Sequence, residues 1–192
     1  MAGIGKRFKL VRYDNRKHCD ILFQYMMNQD EQIMFLTHTV SNSIRDFDCW
    51  IQDQLKYFYQ EFFVLESEEK EFIGIIYSYE DHIRDGHCKI GVYIVPKWRH
   101  TGAGAMAGLQ LMNYLFQYYP YRQIYCDVYR YNKESFESLV QCGFEQTGYY
   151  REYRYYNGDY YDLLFLTMSR LYFQEHYAGL FVGQEMEKEN EK

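Results

Sequence analysis

The chain has 192 residues and a formal net charge of −6, from 27 acidic and 21 basic side chains. That length suits one well-packed core. No run reaches the ~20 apolar residues that cross a bilayer, and no dense basic block points to a nucleic-acid backbone. The start MAGIGKRFKL lacks the apolar stretch of a secretory signal, so a cytoplasmic protein that binds neither membrane nor nucleic acid is expected.

Phe8–Arg12 reads as a short strand and Asp14-Asn15 as a turn. Over Lys17–Met27, Ile21, Leu22, Tyr25 and Met26 form the apolar stripe of a helix. Gln29–Asn42 is polar and irregular, long for a connection without a role, and its His38 is a candidate to meet a substrate. Ser43-Ile-Arg-Asp46 has the form of a capping box, after which Phe47, Ile51, Leu55 and Phe58 mark a second helix. Phe62–Leu65 and Phe72–Tyr79 are strands around the charged SEEKE turn, and Ile83-Arg-Asp-Gly86 leads into a third, Ile90–Val95, stopped by Pro96.

From Gly104 onward Met106, Leu109, Met112 and Phe116 recur at helical spacing, so a helix starts at the glycines of Arg99-His-Thr-Gly102-Ala-Gly104. A glycine-rich helix start presents unpaired N–H groups and the positive end of the helix dipole, which suits phosphate. Two other readings exist. A glycine pair can simply cap a turn, and Gly102-Ala-Gly104-Ala-Met-Ala107, with Asp127 near the end of the next strand, fits a dinucleotide fingerprint. That fingerprint wants its first glycine directly after the strand, and here PKWRHT intervenes.

Gln123–Val128 completes a β–α–β crossover whose strands lie parallel or splay apart. Asn132 caps a helix that buries Phe136, Leu139 and Val140 and ends at Gly143. Phe144–Tyr156 and Tyr160–Leu171 form a hairpin around Asn157-Gly158, the dipeptide of a type I′ turn. One domain over residues 1–173 is expected, with a tail over 174–192 too charged to pack. The five cysteines, Cys19, Cys49, Cys88, Cys126 and Cys142, lie among apolar neighbours without C-x-x-C spacing, so they read as reduced core thiols with no metal site. The 23 tyrosines suit a cleft for an amphipathic or sugar-like acceptor, though an AT-rich genome would produce the same excess.

The loop at Arg99, Gly102 and Gly104, followed by Asn132 and Gly143-Phe144, resembles the GNAT superfamily of acetyl-CoA-dependent N-acetyltransferases, and the order of elements from Phe8 to Leu171 is theirs. Gly148, Asn157-Gly158 and Asp162 are similar to the branch containing ribosomal-protein alanine acetyltransferases. The resemblance implies an α/β (α+β) fold, a mixed and mostly antiparallel sheet of about seven strands flanked by about four helices. It further implies acetyl transfer from acetyl-CoA to a primary amine by direct attack, with a small-molecule amine or a peptide N-terminus as acceptor and a homodimer built through sheet edges.

For the cofactor, the resemblance implies backbone N–H groups across His100, Thr101, Gly102, Ala103, Gly104 and Ala105 on the pyrophosphate, with Arg99 on a phosphate or on a surface carboxylate. Ile94 and Val95 would bond pantetheine through their backbone or pair normally in the sheet, and Asn132 would touch the cofactor arm besides capping its helix. The glutamate many members carry just before the position of Ile90 is Lys89 here, which cannot act as base while protonated. A second family position for the base holds Asp127, which alternates away from Ile124, Cys126 and Val128. Asp127 would serve as base, directly or through a water, or pair with a nearby arginine. The family's tyrosine acid is replaced by Leu139, so either Ser135 donates the proton or the thiolate leaves unaided. Lys89 and Leu139 keep open a catalytically weak or inactive acyl-CoA-binding module of the same fold.

Overall fold

The computed structural model describes residues 8–27 and 43–181. In chain order it contains β1 (Phe8–Arg12), α1 (Asn15–Met26), α2 (Ile44–Tyr57), β2 (Tyr59–Ser67), β3 (Phe72–His82), β4 (His87–Ile94), α3 (Ala103–Tyr118), β5 (Gln123–Tyr129), α4 (Lys133–Gln141), β6 (Glu145–Tyr156), β7 (Asp159–Ser169) and α5 (Arg170–His176). The strands form one sheet in the order β1-β2-β3-β4-β5-β7-β6. This is the mixed, mostly antiparallel seven-stranded sheet expected, with one helix more than foreseen. The 29–42 connection, with His38, lies outside the described residues, as does the chain beyond 181. No helix among the described residues is long and apolar enough to cross a membrane.

Period-two alternation gives the sheet two buried faces. On one, Phe63, Leu65, Ile76, Cys88, Ile90, Ile124 and Cys126 pack against Ala107, Leu111, Met112 and Leu115 of α3. On the other, Phe62, Val64, Ile75, Tyr77 and Tyr93 meet Leu22 and Met26 of α1 and Phe47 and Ile51 of α2. The Ser43 side chain accepts the Asp46 N–H at 3.2 Å, so α2 starts where its cap signal lies. Asn157 and Gly158 both take positive φ, 49° and 94°, as a type I′ turn requires.

Because a crossover through α3 joins β4 to β5, those two strands run parallel. Their ladder holds only His87↔Gln123, Cys88↔Ile124 and Lys89↔Tyr125. Past Lys89 the strands part, and the sheet has a gap there.

Two expectations need correction. Helix α4 buries none of its residues: Phe136 and Leu139 are partly covered at the margin of the core, and Val140 is 45% exposed. The packed chain also runs beyond residue 173. Phe173 in α5 and Phe181 in the 3-10 turn Ala178–Phe181 both enter the core, two rings whose apolar signal the charged terminus obscures.

Arg170 is what ties this end down. Its guanidinium donates to the carbonyls of Tyr121 and Tyr119, each at 2.6 Å, and to that of Phe116. These are the open carbonyls at and just beyond the end of α3, whose last turn has no basic residue of its own. Arg170→Met should therefore lower unfolding free energy by about 2–4 kcal/mol in urea denaturation. A loss within about 0.5 kcal/mol would mean that water replaces the guanidinium without cost.

Candidate active site

The gap is lined by main-chain groups whose direction follows from strand pairing. The Val95 N–H donates to the Ile73 carbonyl at 2.9 Å. Opposed residues alternate between bonded and non-bonded pairs. Ile94, opposite Gly74, and Val92, opposite Ile76, therefore turn their N–H and C=O groups away from β3 toward the gap. The Val95 carbonyl accepts the Trp98 N–H at 2.9 Å. Both Val95 groups are thus bonded inside the chain, the N–H on the β3 side and the carbonyl to the following turn, and of the two expected pantetheine contacts only Ile94 faces the gap.

Beyond β4 a 3-10 turn, Pro96–Trp98, leads to the glycine loop. The Thr101 hydroxyl donates to the Trp98 carbonyl at 2.7 Å and accepts the Ala103 N–H at 3.3 Å. Gly102 is the N-cap of α3 at φ +83°, a left-handed conformation that glycine adopts without strain. With Ala103 satisfied, the N–H groups of Gly102, Gly104 and Ala105 lie outside the helix's own ladder. A Cβ on Gly104 would stand 3.2 Å from Ile94 Cγ1, so the bare glycine lets the first turn of α3 lie against the gap-lining strand. The loop thus offers free donors and a positive dipole end beside the gap, an arrangement that fits a pyrophosphate.

Around the loop the side chains divide. Arg99 Nε donates to the Ile94 carbonyl at 3.0 Å, so Arg99 braces the loop against β4. His100 sits at φ +60°, exposed, with Nε2 3.8 Å from Glu134 Oε2 at the start of α4. Asn132 Oδ1 accepts the Ser135 N–H at 3.2 Å, the capping bond expected. This is the structure's link between Asn132 and Ser135. No hydrogen bond joins Ser135 to Asp127 among the described residues.

Asp127 does point away from the Ile124 set, and it has a partner, though not an arginine. Its Oδ2 lies 2.8 Å from Lys89 Nζ, which also lies 2.7 Å from Glu80 Oε2. The Asp127 side chain is 7% exposed and that of Glu80 54%, so Lys89 bridges a buried carboxylate and an outer one. Burial pushes the Asp127 carboxyl above its ordinary range and Lys89 pulls it only part of the way back. Burial disfavours the Lys89 ammonium, but its bonds to the two carboxylates outweigh that and hold its pKa above normal. Asp127 Oδ1 is buried without a hydrogen-bond partner, as is the hydroxyl of Tyr79, whose ring centroid lies 5.9 Å from Lys89 Nζ.

Sequence reasoning missed Tyr79 and Glu80. Tyr79 opposes Lys89 across the β3–β4 ladder. Glu80 reaches Lys89 because β3 shifts register after Tyr79 and Glu80 takes φ +47°, a bulge with no sequence mark of its own. On the same face Phe165 opposes Asp127. Beyond it Tyr129, Tyr131, Tyr156 and Tyr161 form an aromatic cluster, with Tyr131 centred 4.6 Å from Tyr156 and 5.2 Å from Tyr161. The Arg154 guanidinium lies 5.3 Å from the centre of the Tyr129 ring.

Two strands that part beside a glycine loop and a helix N-terminus, with a buried carboxylate at the fork, define an acyl-CoA-dependent transferase frame. Residues 7–145 match the model of the acetyltransferase (GNAT) domain, and the chain belongs to that family as an N-acetyltransferase. It is 23% identical over 134 residues, 70% of this chain and 73% of the other, to the SPbeta prophage-derived uncharacterized N-acetyltransferase YokL of Bacillus subtilis (strain 168). Its fold is shared with spermidine N-acetyltransferase from Vibrio cholerae in complex with CoA and spermine, at TM-score 0.79 and 17% identity over 88% of this chain and 98% of that one. A dodecameric structure of the Vibrio cholerae enzyme in an intermediate state superposes at TM-score 0.72 and 18% identity, covering 85% and 94%. These relatives lend no support to the narrower likeness to ribosomal-protein alanine acetyltransferases.

Proposed function

We propose that the protein transfers the acetyl group of acetyl-CoA to the primary amine of a small cationic acceptor. The observation that carries this reading is the parting of β4 and β5 beside the helix start at Gly102. The N–H groups of Gly102, Gly104 and Ala105 would take the pyrophosphate, with His100 and Thr101 shaping the loop, and the gap-facing main chain of Ile94 the pantetheine. Asn132, at the start of α4, would border the same arm.

In the transfer, the amine nitrogen bonds to the thioester carbonyl carbon and the carbon–sulfur bond breaks. The proton lost by the amine goes to Asp127, whose buried carboxyl holds a proton more readily than an exposed one. The thiolate takes a proton from Ser135 or leaves unaided, since Leu139 cannot donate one. The Asp127 carboxylate and the tyrosine wall beside it suit an aliphatic ammonium, and the spermidine N-acetyltransferase likeness supports the same class. The exposed edge of β6 and the dodecamer of that neighbour support self-association, a homodimer at least. The pairing of Asp127 with Lys89 is the one observation favouring the rival reading, a CoA-binding module without turnover.

The test is thiol release and product mass when the protein meets acetyl-CoA with spermidine, an amino sugar or a peptide bearing a free N-terminus. Release with spermidine supports the reading, and release with the peptide alone would move the acceptor to protein N-termini. Acetyl-CoA binding without turnover on any amine would favour the binding module, and NADH binding in place of CoA would restore the dinucleotide fingerprint.

A further inference from the structure

We infer that Lys89 is an internal stand-in for the acceptor's ammonium: it occupies the Asp127 carboxylate until a cationic amine takes that place, and then rests on Glu80 alone. This deepens the acetyltransferase reading and rests on it for the identity of the incoming cation.

The charges come first. Glu80 and Asp127 bring two carboxylates to one ammonium, so the group carries one net negative charge and is balanced by a single further cation. Hydrogen bonding points the same way. Another buried carboxylate with a cationic partner among the described residues, Glu61, uses both oxygens: Oε2 meets Arg12 at 2.6 Å, and Oε1 accepts the hydroxyls of Tyr114 at 3.0 Å and Tyr119 at 2.7 Å. Asp127 uses only Oδ2, and its Oδ1 and the Tyr79 hydroxyl stand buried without partners on either side of Lys89. Buried polar atoms in folded proteins are nearly always satisfied. Two orphans beside one lysine mark a site short of hydrogen-bonding groups, and a primary ammonium brings three N–H donors.

Access requires movement, because Oδ1 is fully covered in this state. Lys89 has a flexible four-carbon stem and a second carboxylate already at 2.7 Å on the more exposed side. Swinging outward, it keeps Glu80 while the incoming ammonium pairs with Asp127, so no charge is left buried and uncompensated at either end. The exchange also selects. A neutral ligand cannot replace the lysine, since it would leave Asp127 buried and unpaired.

The experiment is calorimetric titration of the CoA-saturated full-length protein with butylammonium chloride, with butanol as the uncharged match. The wild type should bind the ammonium and not the alcohol. Lys89→Met should bind it roughly tenfold more tightly and Glu80→Gln roughly tenfold more weakly, while Lys89→Met/Asp127→Asn should not bind it. Unchanged or weaker binding by Lys89→Met with CoA binding intact overturns the inference. If that variant does not fold, Glu80→Gln decides: its side chain is half exposed, and undiminished ammonium binding there overturns the inference equally. Failure of the acetyltransferase reading would appear separately, as a wild type that does not bind CoA or that releases no thiol from acetyl-CoA with any amine.

Discussion

Gly102→Glu should reduce acetyl-CoA affinity by roughly a hundredfold while leaving a folded protein. Gly102 caps α3 at φ +83°, so any side chain there incurs backbone strain, about 1–2 kcal/mol for an ordinary residue. A glutamate also puts a carboxylate where the N–H groups of Gly102, Gly104 and Ala105 and the positive end of the α3 dipole await an anion. The new charge would hold those donors itself and repel the phosphates. Gly102→Ala separates the two effects, because it carries the strain without the charge. Calorimetric titration of both variants, with thermal melting as a check on the fold, should show the alanine variant binding far better than the glutamate variant. Equal affinities would place the phosphates elsewhere.

Gly74→Ala should be the more damaging change for stability. A Cβ at this position of β3 would stand 2.0 Å from the Tyr93 carbonyl oxygen and 3.1 Å from the Ile94 Cα. Both are backbone atoms of β4, so no side-chain rotation relieves the clash. The two strands must separate locally, which costs about 3 kcal/mol or more from a total that for a domain of this kind is ~5–15 kcal/mol. The expected result in urea denaturation is a much lower midpoint, or protein recovered only in insoluble form. Any folded fraction should also bind acetyl-CoA less well, because the strand displaced is the one that turns the Ile94 main chain toward the gap. A midpoint equal to wild type would show that β3 and β4 lie farther apart at Gly74 than the structure has them.

What could be read in the sequence was local. Pro96, Gly102 and Gly104 mark a strand stop and a helix start by backbone chemistry alone, and Ser43, Asn132 and Asn157-Gly158 announce caps and a turn in the same way. The parallel direction of β4 and β5 followed because a crossover through α3 leaves those two strands few alternatives. The triad around Lys89 was not legible, although two of its members drew notice singly. Lys89 registered as a departure from a family pattern and Asp127 as a carboxylate facing away from the core. That they are partners depends on where the parallel ladder ends, and that Glu80 joins them depends on a bulge. Neither leaves a periodic signal. The same holds for Arg170, whose bonds span some fifty positions of chain, and for Phe181, an apolar residue next to a terminus dominated by charge.

The short seam between β4 and β5 bears on how the molecule holds its shape. Three residue pairs are a narrow stitch between a four-stranded and a three-stranded half. Helix α3, packed beneath both halves and fastened at its far end by Arg170, works as a splint across that seam. A phosphate seated at Gly102 would press on one end of the splint, while α5 and the 3-10 turn Ala178–Phe181 grip the other. Filling the glycine loop with the proposed cofactor should therefore quiet the breathing of the whole sheet, and amide protons on strands far from that loop should exchange more slowly once it is bound.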